Sequence, residues 1–364
     1  MNTAERRRKS QLYFLTSKQE IEVGNIKDLP VSVDVIDRID EYSGCVEQVF
    51  SSGLTAIVYK LKIDGKYYNL KKKRKEILVL NTDGQTSFLN EIQRRLDFEE
   101  AKKHNPENFR GIVETIYASL TKGFILSEWI EGEFITHFSK DIFSSIFQTL
   151  FEVEKIGLFE CDLSLPNMLV DNNNRVHFFD FGYMYPYNPL QHFNSDGKEI
   201  PIFHMAERLE SRCLMQYLMN IENHQNINSA LNAFKITKES ALEIYIKKAY
   251  WLEKNMADND VIVWQKHFIQ LWENGLCNQD NLNDLYELES FRSYVLDVYD
   301  DVSGKSCTRA TLQKADKILQ KITNHYDFLK KNQGLFWGDE LLDRSLLIKK
   351  YENMKSQVVE YQLH

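Results

Sequence analysis

The amino-acid sequence predicts an α+β protein, with a small antiparallel β part that carries one helix and a larger, mostly helical part after it. Three observations lead there. From about residue 42 to residue 131, β-branched and aromatic residues recur in short runs separated by turn signals, with a single helical stretch among them. From Ala206 onward, apolar residues fall almost throughout at helical spacing. Between these regions, Met168-Leu169-Val170 and Val176-His177-Phe178-Phe179 flank Asp171-Asn172-Asn173-Asn174, the pattern of a short hairpin.

Taken in order, residues 1–40 form a polar N-terminal extension. Its Arg6-Arg7-Arg8-Lys9 cluster reads most simply as a solvated tail, with a membrane or partner contact as the alternative, and residues 31–36 alternate as a strand would. Five strands are expected at 46–50, 56–63, 67–72, 112–119 and 124–130, with Asp64-Gly65 as a hairpin turn between two of them. The one helix among them places Phe88, Leu89, Ile92 and Leu96 on a single face. Beyond Ile142 the chain turns helical, then returns to strand for the hairpin. In the last third, Leu312, Ala315, Ile318, Leu319, Ile322, Tyr326 and Leu329 trace one apolar stripe, and Leu347, Tyr351, Met354, Val358 and Tyr361 another; both are expected to pack against neighbouring helices. The boundaries read from this texture are 1–40, 41–131, 132–205 and 206–364.

Composition narrows the classes of function. A chain of 364 residues can bury a large core, and 43% hydrophobic with 27% charged residues is ordinary for a soluble globular protein. A formal net charge of -8 argues against a broad nucleic-acid footprint. Cys45, Cys161, Cys213, Cys277 and Cys307 are widely spaced with no CxxC pair, so neither a zinc site nor a disulfide framework is indicated, and a reducing compartment fits. No run approaches the roughly 18 apolar residues that span a bilayer. No apolar segment follows residues 6–9, so a secretory signal of the usual kind is not read. The expected location is the cytoplasm, with delivery into another cell by a specialised export system left open.

The chemistry is concentrated around the hairpin. Glu160-Cys161-Asp162-Leu163-Ser164-Leu165-Pro166-Asn167 precedes its first strand and Asp180-Phe181-Gly182 follows its second. Asn and Asp offer the oxygen ligands that hard cations prefer. Either half alone reads as a surface hairpin with scattered polar residues; both together, in this order and spacing, resemble the protein-kinase-like superfamily. The resemblance implies a two-lobed fold and phosphoryl transfer from ATP with Mg2+ or Mn2+. Asp162 would be the catalytic base at the acceptor hydroxyl, while Asn167 and Asp180 would hold the metal ions that bridge the phosphates.

It also implies a nucleotide site upstream. Ser51, Gly53, Ala56 and Val58 stand where the family has GxGxxGxV, keeping one glycine of three; small residues let backbone amides approach phosphates, and Val58 would cover the base. Tyr68-Asn69-Leu70-Lys71 is similar to the strand that ends in the phosphate-binding lysine. Strand alternation puts Lys71 and Lys72 on opposite faces, so one of them enters the cleft. Lys71 is preferred and Lys72 is the alternative; the preference places Asn69 where the family has a small residue beside the base. The other residues of the 71–75 basic run read as a solvated strand end. Glu91 would be the helix carboxylate that pairs with this lysine, Glu99 and Glu100 being the alternatives. The 124–132 stretch looks like the hinge, with Glu128 and Ile130 offering backbone hydrogen bonds to adenine.

Departures from the family pattern bear on the acceptor. Eukaryotic-type protein kinases carry His-Arg where this chain has Glu160-Cys161, and Ser/Thr kinases carry Lys where it has Ser164. The aminoglycoside, choline and lipopolysaccharide-sugar phosphotransferases share that lack and have a large helical C-terminal region, as residues 206–364 would be. A hydroxyl of a small molecule or glycan is therefore the expected acceptor. Against it, His204-Met205-Ala206-Glu207-Arg208 stands where protein kinases have Ala-Pro-Glu, and a buried ion pair of Glu207 with an arginine would mark an atypical bacterial Ser/Thr protein kinase, an effector or toxin among them. A nucleotide-binding pseudokinase, or another transferase on this fold, is the third reading.

Overall fold

The computed structural model describes residues 2–79 and 81–363. It is α+β, with a small antiparallel sheet and a mostly helical larger part, and it divides into two compact units. The first comprises Met1–His137 with Gln148–Pro201, the second Phe138–Phe147 with Ile202–His364. No described helix is long and apolar enough to cross a membrane.

The first unit opens with α1 (Thr3–Ser17), β1 (Glu22–Gly24) and α2 (Val33–Arg38). Then come β2 (Val46–Phe50), β3 (Ala56–Ile63), β4 (Lys66–Lys73), α3 (Thr82–His104), β5 (Thr115–Ser119) and β6 (Phe124–Glu128). The six strands form one antiparallel sheet in the order β1-β5-β6-β4-β3-β2. Asp64 and Gly65 both take positive φ, 49° and 80°, the geometry of a tight two-residue turn between β3 and β4. Strand alternation then divides the side chains. Tyr59, Leu61, Leu70, Tyr117, Phe124 and Leu126 cluster with Ile36 and Ile39, whereas Ala118 and Ile125 cluster with Val23 of β1 and with Phe88 and Ile92 of α3.

Two expectations for the N-terminal region are corrected. Residues 31–36 do not form a strand. Ser32 at the N-terminal boundary, Asp34 in the first turn and Arg38 in the last favour a helix, and Ile36 is buried against the sheet. Residues 6–9 are not a solvated tail but part of α1, with Arg8 paired to Asp83 at 2.6 Å and Arg7 to Asp196 at 3.3 Å. The sixth strand, β1, also lies in this region. Gly24 has φ 79°, and a Cβ there would sit 2.1 Å from the Ile116 carbonyl oxygen, so the close approach to β5 requires glycine.

The remainder of this unit carries β7 (Glu133–Phe134), β8 (Leu158–Glu160), β9 (Met168–Val170), β10 (Val176–Phe178) and β11 (Met184–Pro186). The predicted hairpin is β9 and β10, paired Met168 to Phe178 and Val170 to Val176, with β7 beside β9. β8 pairs with β11. The hairpin is fixed to the stretch ahead of β5 by reciprocal backbone bonds, Val113 N–H to the Phe178 carbonyl at 3.0 Å and Phe178 N–H to the Gly111 carbonyl at 2.7 Å. This holds the segment that follows, Phe179 and Asp180, against the sheet.

The helix α4 (Lys140–Lys155) has its early residues in the second unit and its later ones in the first. The second unit continues with α5 (Met205–Leu209), α6 (Met215–His224), α7 (Ile227–Lys254), α8 (Asn259–Leu276), α9 (Gln279–Gly304), α10 (Arg309–Lys331) and α11 (Arg344–Glu360). The two apolar stripes face inward: Ala315, Ile318, Ile322, Tyr326 and Leu329 on α10 are buried, as are Leu347, Tyr351, Met354 and Val358 on α11. An ionic cluster sits in this core. The fully buried Lys238 ammonium contacts the carboxylates of Glu210 and Glu289; Arg292 donates to Glu210 at 2.6 Å, and the Trp272 indole to Glu289 at 2.9 Å. Removing one partner of such a cluster leaves uncompensated buried charge. Lys238→Met, which leaves two carboxylates facing Arg292 alone, is expected to lower stability by roughly 3–5 kcal/mol, read as an earlier urea midpoint.

Candidate active site

The site lies wholly within the first unit. β4 pairs with β3 on one side and β6 on the other, so residues alternate strictly between its two faces. Lys71 turns toward α3 and the end of the hairpin, where its ammonium donates to Glu91 Oε2 at 2.6 Å and to Asp180 Oδ2 at 2.9 Å. Lys72 turns the other way and donates to the Asp37 and Ile39 carbonyls at 2.7 and 3.0 Å, capping α2. Burial disfavours the Lys71 ammonium, but Asp180 and Glu91 outweigh it and its pKa is raised. Burial likewise disfavours the Asp180 carboxylate, yet Lys71 and the Gly182 amide hold its pKa below the ordinary value.

Glu91 is almost wholly buried, and its second oxygen is taken by Arg95, one helical turn on, at 2.9 Å. The Arg95 guanidinium also donates to the Phe179 carbonyl at 2.8 Å and to Thr115 Oγ1 at 3.0 Å. It therefore ties the helix carboxylate to the residue preceding Asp180. Sequence reading missed Arg95, although the i,i+4 spacing from Glu91 was a signal for it. Glu99 is partly exposed and its pKa is raised by burial, while the exposed Glu100 pairs with Lys103 at 2.8 Å, so neither engages Lys71.

On the hairpin side, Asn167 ends a single tight turn that runs from Leu165 into β9. Its amide donates to the Asp162 carbonyl at 3.1 Å and to Asp162 Oδ2 at 3.2 Å, which orients both side chains. The Asp162 backbone N–H in turn donates to Glu160 Oε1 at 2.7 Å. Glu160 is buried, and burial together with the nearby Asp162 and Asp180 carboxylates raises its pKa well above the usual range. This buried carboxyl supports the loop from beneath, where sequence reading assigned it no role.

A cavity of about 240 Å³ opens on this group. Of the residues singled out from the sequence, Gly53, Val58, Lys71, Glu128, Ile130, Asn167 and Asp180 line it, and Asn69 joins them. Ala56 and Glu91 are buried outside the lining, and Asp162 reaches the lining through Asn167. At Gly53 a Cβ would lie 2.8 Å from the Ala56 carbonyl oxygen, so the loop cannot take this path with a larger residue. The loop is gripped by Arg74, whose guanidinium donates to the Gly53 carbonyl at 2.8 Å and to that of Ser51. Lys72 and Arg74 are thus not part of a solvated strand end, whereas Lys75 is exposed as expected; Lys71, Lys72 and Arg74 serve three different sites.

Asn167 and Asp180 present oxygen donors to one cavity. Among the described residues no group of three or more His, Cys, Asp or Glu is placed to hold a metal ion. Two protein oxygens suit a small hard cation that takes its remaining ligands from water and phosphate, the usual coordination of Mg2+ with nucleotides. The donor set fits that ion.

No protein-family model matches the chain, and no curated protein matches it. Among solved structures it is similar to the bifunctional kinase-methyltransferase WbdD, at 16% identity and a TM-score of 0.30, over 39% of this chain and 35% of that one. The chain therefore spans little more than a third of that protein. A likeness of this extent decides neither fold family nor activity.

The arrangement can hold a cation-bound anion against Lys71 with Asp162 close behind. Its electrostatics turn on Lys71. Asp180, with a depressed pKa, contributes stability that is complete above its ordinary pKa of 3.8 and is lost as pH falls through the depressed value. In Lys71→Met, burial is no longer outweighed, and the Asp180 carboxyl is expected to titrate above its wild-type pKa, which carbon-detected NMR of the side-chain carboxyl measures.

Proposed function

We propose that this chain is an ATP-dependent phosphotransferase with a two-lobed, kinase-like fold, acting on a hydroxyl of a small molecule or glycan. The observation that carries the reading is the Lys71 ammonium held between Glu91 and Asp180 at the wall of a cavity that Asn167 also lines. Phosphoryl transfer requires positioning and charge stabilisation more than covalent chemistry from the protein. Residues 41–131 would then form the small nucleotide-binding lobe, 132–205 the catalytic core and 206–364 the helical remainder.

Each residue has a stated task. Lys71 binds phosphate oxygens, and Glu91 with Arg95 keeps it directed at them. The backbone of the loop around Gly53 covers the phosphates, Val58 lies against the base, and the main chain at Glu128 and Ile130 bonds its edge. Asn167 and Asp180 hold Mg2+, which when bound neutralises charge on the bridged phosphates. Asp162 accepts the proton of the acceptor hydroxyl as its oxygen bonds phosphorus and the bond to the ADP oxygen breaks.

Glu160-Cys161 and Ser164, which lack the basic residues of the protein-kinase catalytic loop, support a small acceptor. One observation favours a second reading, a Ser/Thr protein kinase. Glu207 is fully buried and paired with Arg208 at 2.8 and 2.9 Å, the kind of ion pair that would mark a protein-kinase segment.

Labelled ATP offered to the protein with sugars, amino alcohols, aminoglycosides and cell lysate separates the two. Label on a small molecule supports the first reading; label confined to serine or threonine of proteins supports the second. Asp180→Ala is expected to abolish metal-dependent ATP binding, and unchanged metal-dependent affinity would remove Asp180 from the metal site. Asp162→Asn is expected to bind ATP nearly as the wild type does while turnover falls by about 10²–10⁴-fold. Equal loss of both would make Asp162 a structural residue.

A further inference from the structure

Asn90, one residue before Glu91 on α3, has no part in the chemistry described so far, yet its side chain is saturated with partners. It is fully buried. Its amide nitrogen faces three backbone carbonyls directly after Asp180: Phe181 at 3.2 Å, Gly182 at 3.0 Å and Met184 at 2.6 Å. Its amide oxygen accepts from Gln11 Nε2 at 3.2 Å and from Arg94 Nη1 at 3.0 Å. Only one orientation of the amide satisfies this set, because three acceptors lie on one side and two donors on the other.

Gln11 is the buried residue of α1, and its own oxygen accepts from Thr86 Oγ1 at 3.3 Å. The rest of α1 is fastened around the same segment. Arg8 donates twice to Asp83 at the start of α3, at 2.9 and 2.6 Å. Arg7 reaches Asp196 at 3.3 Å and lies 3.6 Å above the ring of Tyr185, in the strand that begins at Met184. The N-terminal helix therefore reaches the backbone beside Asp180 through Gln11 and Asn90.

We propose that Asn90 is a positioning residue that fixes the 181–184 backbone, and with it the direction of the Asp180 carboxylate, and that α1 sets Asn90 through Gln11. The catalytic consequence rests on the phosphotransferase reading; the positioning itself does not. Asn90 and Glu91 make adjacent use of α3. Glu91 directs the ammonium that meets Asp180, and Asn90 directs the main chain from which Asp180 projects. Displacing α1 loosens the metal-ligand segment while leaving the Lys71–Glu91 pair in place.

The test uses the full chain with Asn90→Ala and Gln11→Glu, the latter keeping the side-chain size but placing an acceptor against the Asn90 oxygen. Leu347→Ala, in the other unit, serves as a control for general loss of stability. Hydrogen exchange without ligand is expected to accelerate about tenfold in peptides covering 180–186 in both variants, the effect of losing roughly one net hydrogen bond, and not in Leu347→Ala. The Mg2+ concentration for half-maximal ATP turnover is expected to rise several-fold in the same two variants. Exchange that is unchanged, or that rises uniformly over the chain, overturns the positioning role. Local acceleration with unaltered Mg2+ dependence overturns the link to Asp180. Local acceleration in a chain whose wild type transfers no phosphate upholds the positioning and instead rejects the phosphotransferase reading.

Discussion

The burial of one ammonium group organises the first unit. Lys71 is removed from water by the strands on either side of it, and an unpaired ammonium there would cost several kcal/mol. Two carboxylates answer it, and they come from different places: Glu91 from α3, Asp180 from the segment leaving the hairpin. Sheet, helix and hairpin must therefore meet at one point. Two carboxylates on one cation would leave excess negative charge, and Arg95 supplies the second cation, bonded to Glu91 and to the Phe179 carbonyl. The four groups balance in charge, and their hydrogen bonds fix the relative positions of β4, α3 and Asp180.

Local periodicity made much of this frame legible. β2 and β3 are read to their bounds from alternation and the Asp-Gly turn, because successive side chains of a strand point to opposite faces of the sheet and impose a period of two on the sequence. The expected fifth strand extends beyond β6 at Ile130, and the fourth begins too early at Ile112, where backbone pairing shifts to the hairpin rather than to the sheet. The alternation at 31–36 misleads because β-branched residues also serve a short helix once its ends carry Asp34 and Arg38 and a lysine from elsewhere caps it. That cap comes from Lys72, distant in sequence, and no local rule contains it.

The candidate site divides along the same line. Lys71, Glu91, Asp162, Asn167 and Asp180 are the residues that the resemblance to protein-kinase-like enzymes implies, and all five lie in the first unit. Glu160 and Asn90 carry no motif and Arg74 reads as a solvated charge because each holds backbone groups: the Asp162 amide, the carbonyls of residues 181, 182 and 184, and those of Ser51 and Gly53. A side chain that holds main chain leaves no motif, since any sequence supplies the carbonyl or amide it bonds. The neighbouring Lys71 and Lys72 add a second reason. In a continuous basic run the charges look interchangeable, and only the pleat separates a residue that enters the cavity from its neighbour that caps a helix.

Asp180 joins these threads. One of its oxygens bonds Lys71 and the other accepts from the Gly182 amide, so the carboxylate is directed by a side chain on one oxygen and by its own following backbone on the other. The Gly182 carbonyl is in turn held by Asn90. At this residue a Cβ would come within 3.2 Å of the Ser87 side chain on α3, so the segment lies close against α3 here. Under the proposed function a cation at Asp180 would share the carboxylate with Lys71, and a backbone grip separate from the ionic one would keep the segment ordered when it binds. Independent control of the main chain and of the charge would let one carboxylate serve as both a salt-bridge partner and, under that function, a metal ligand.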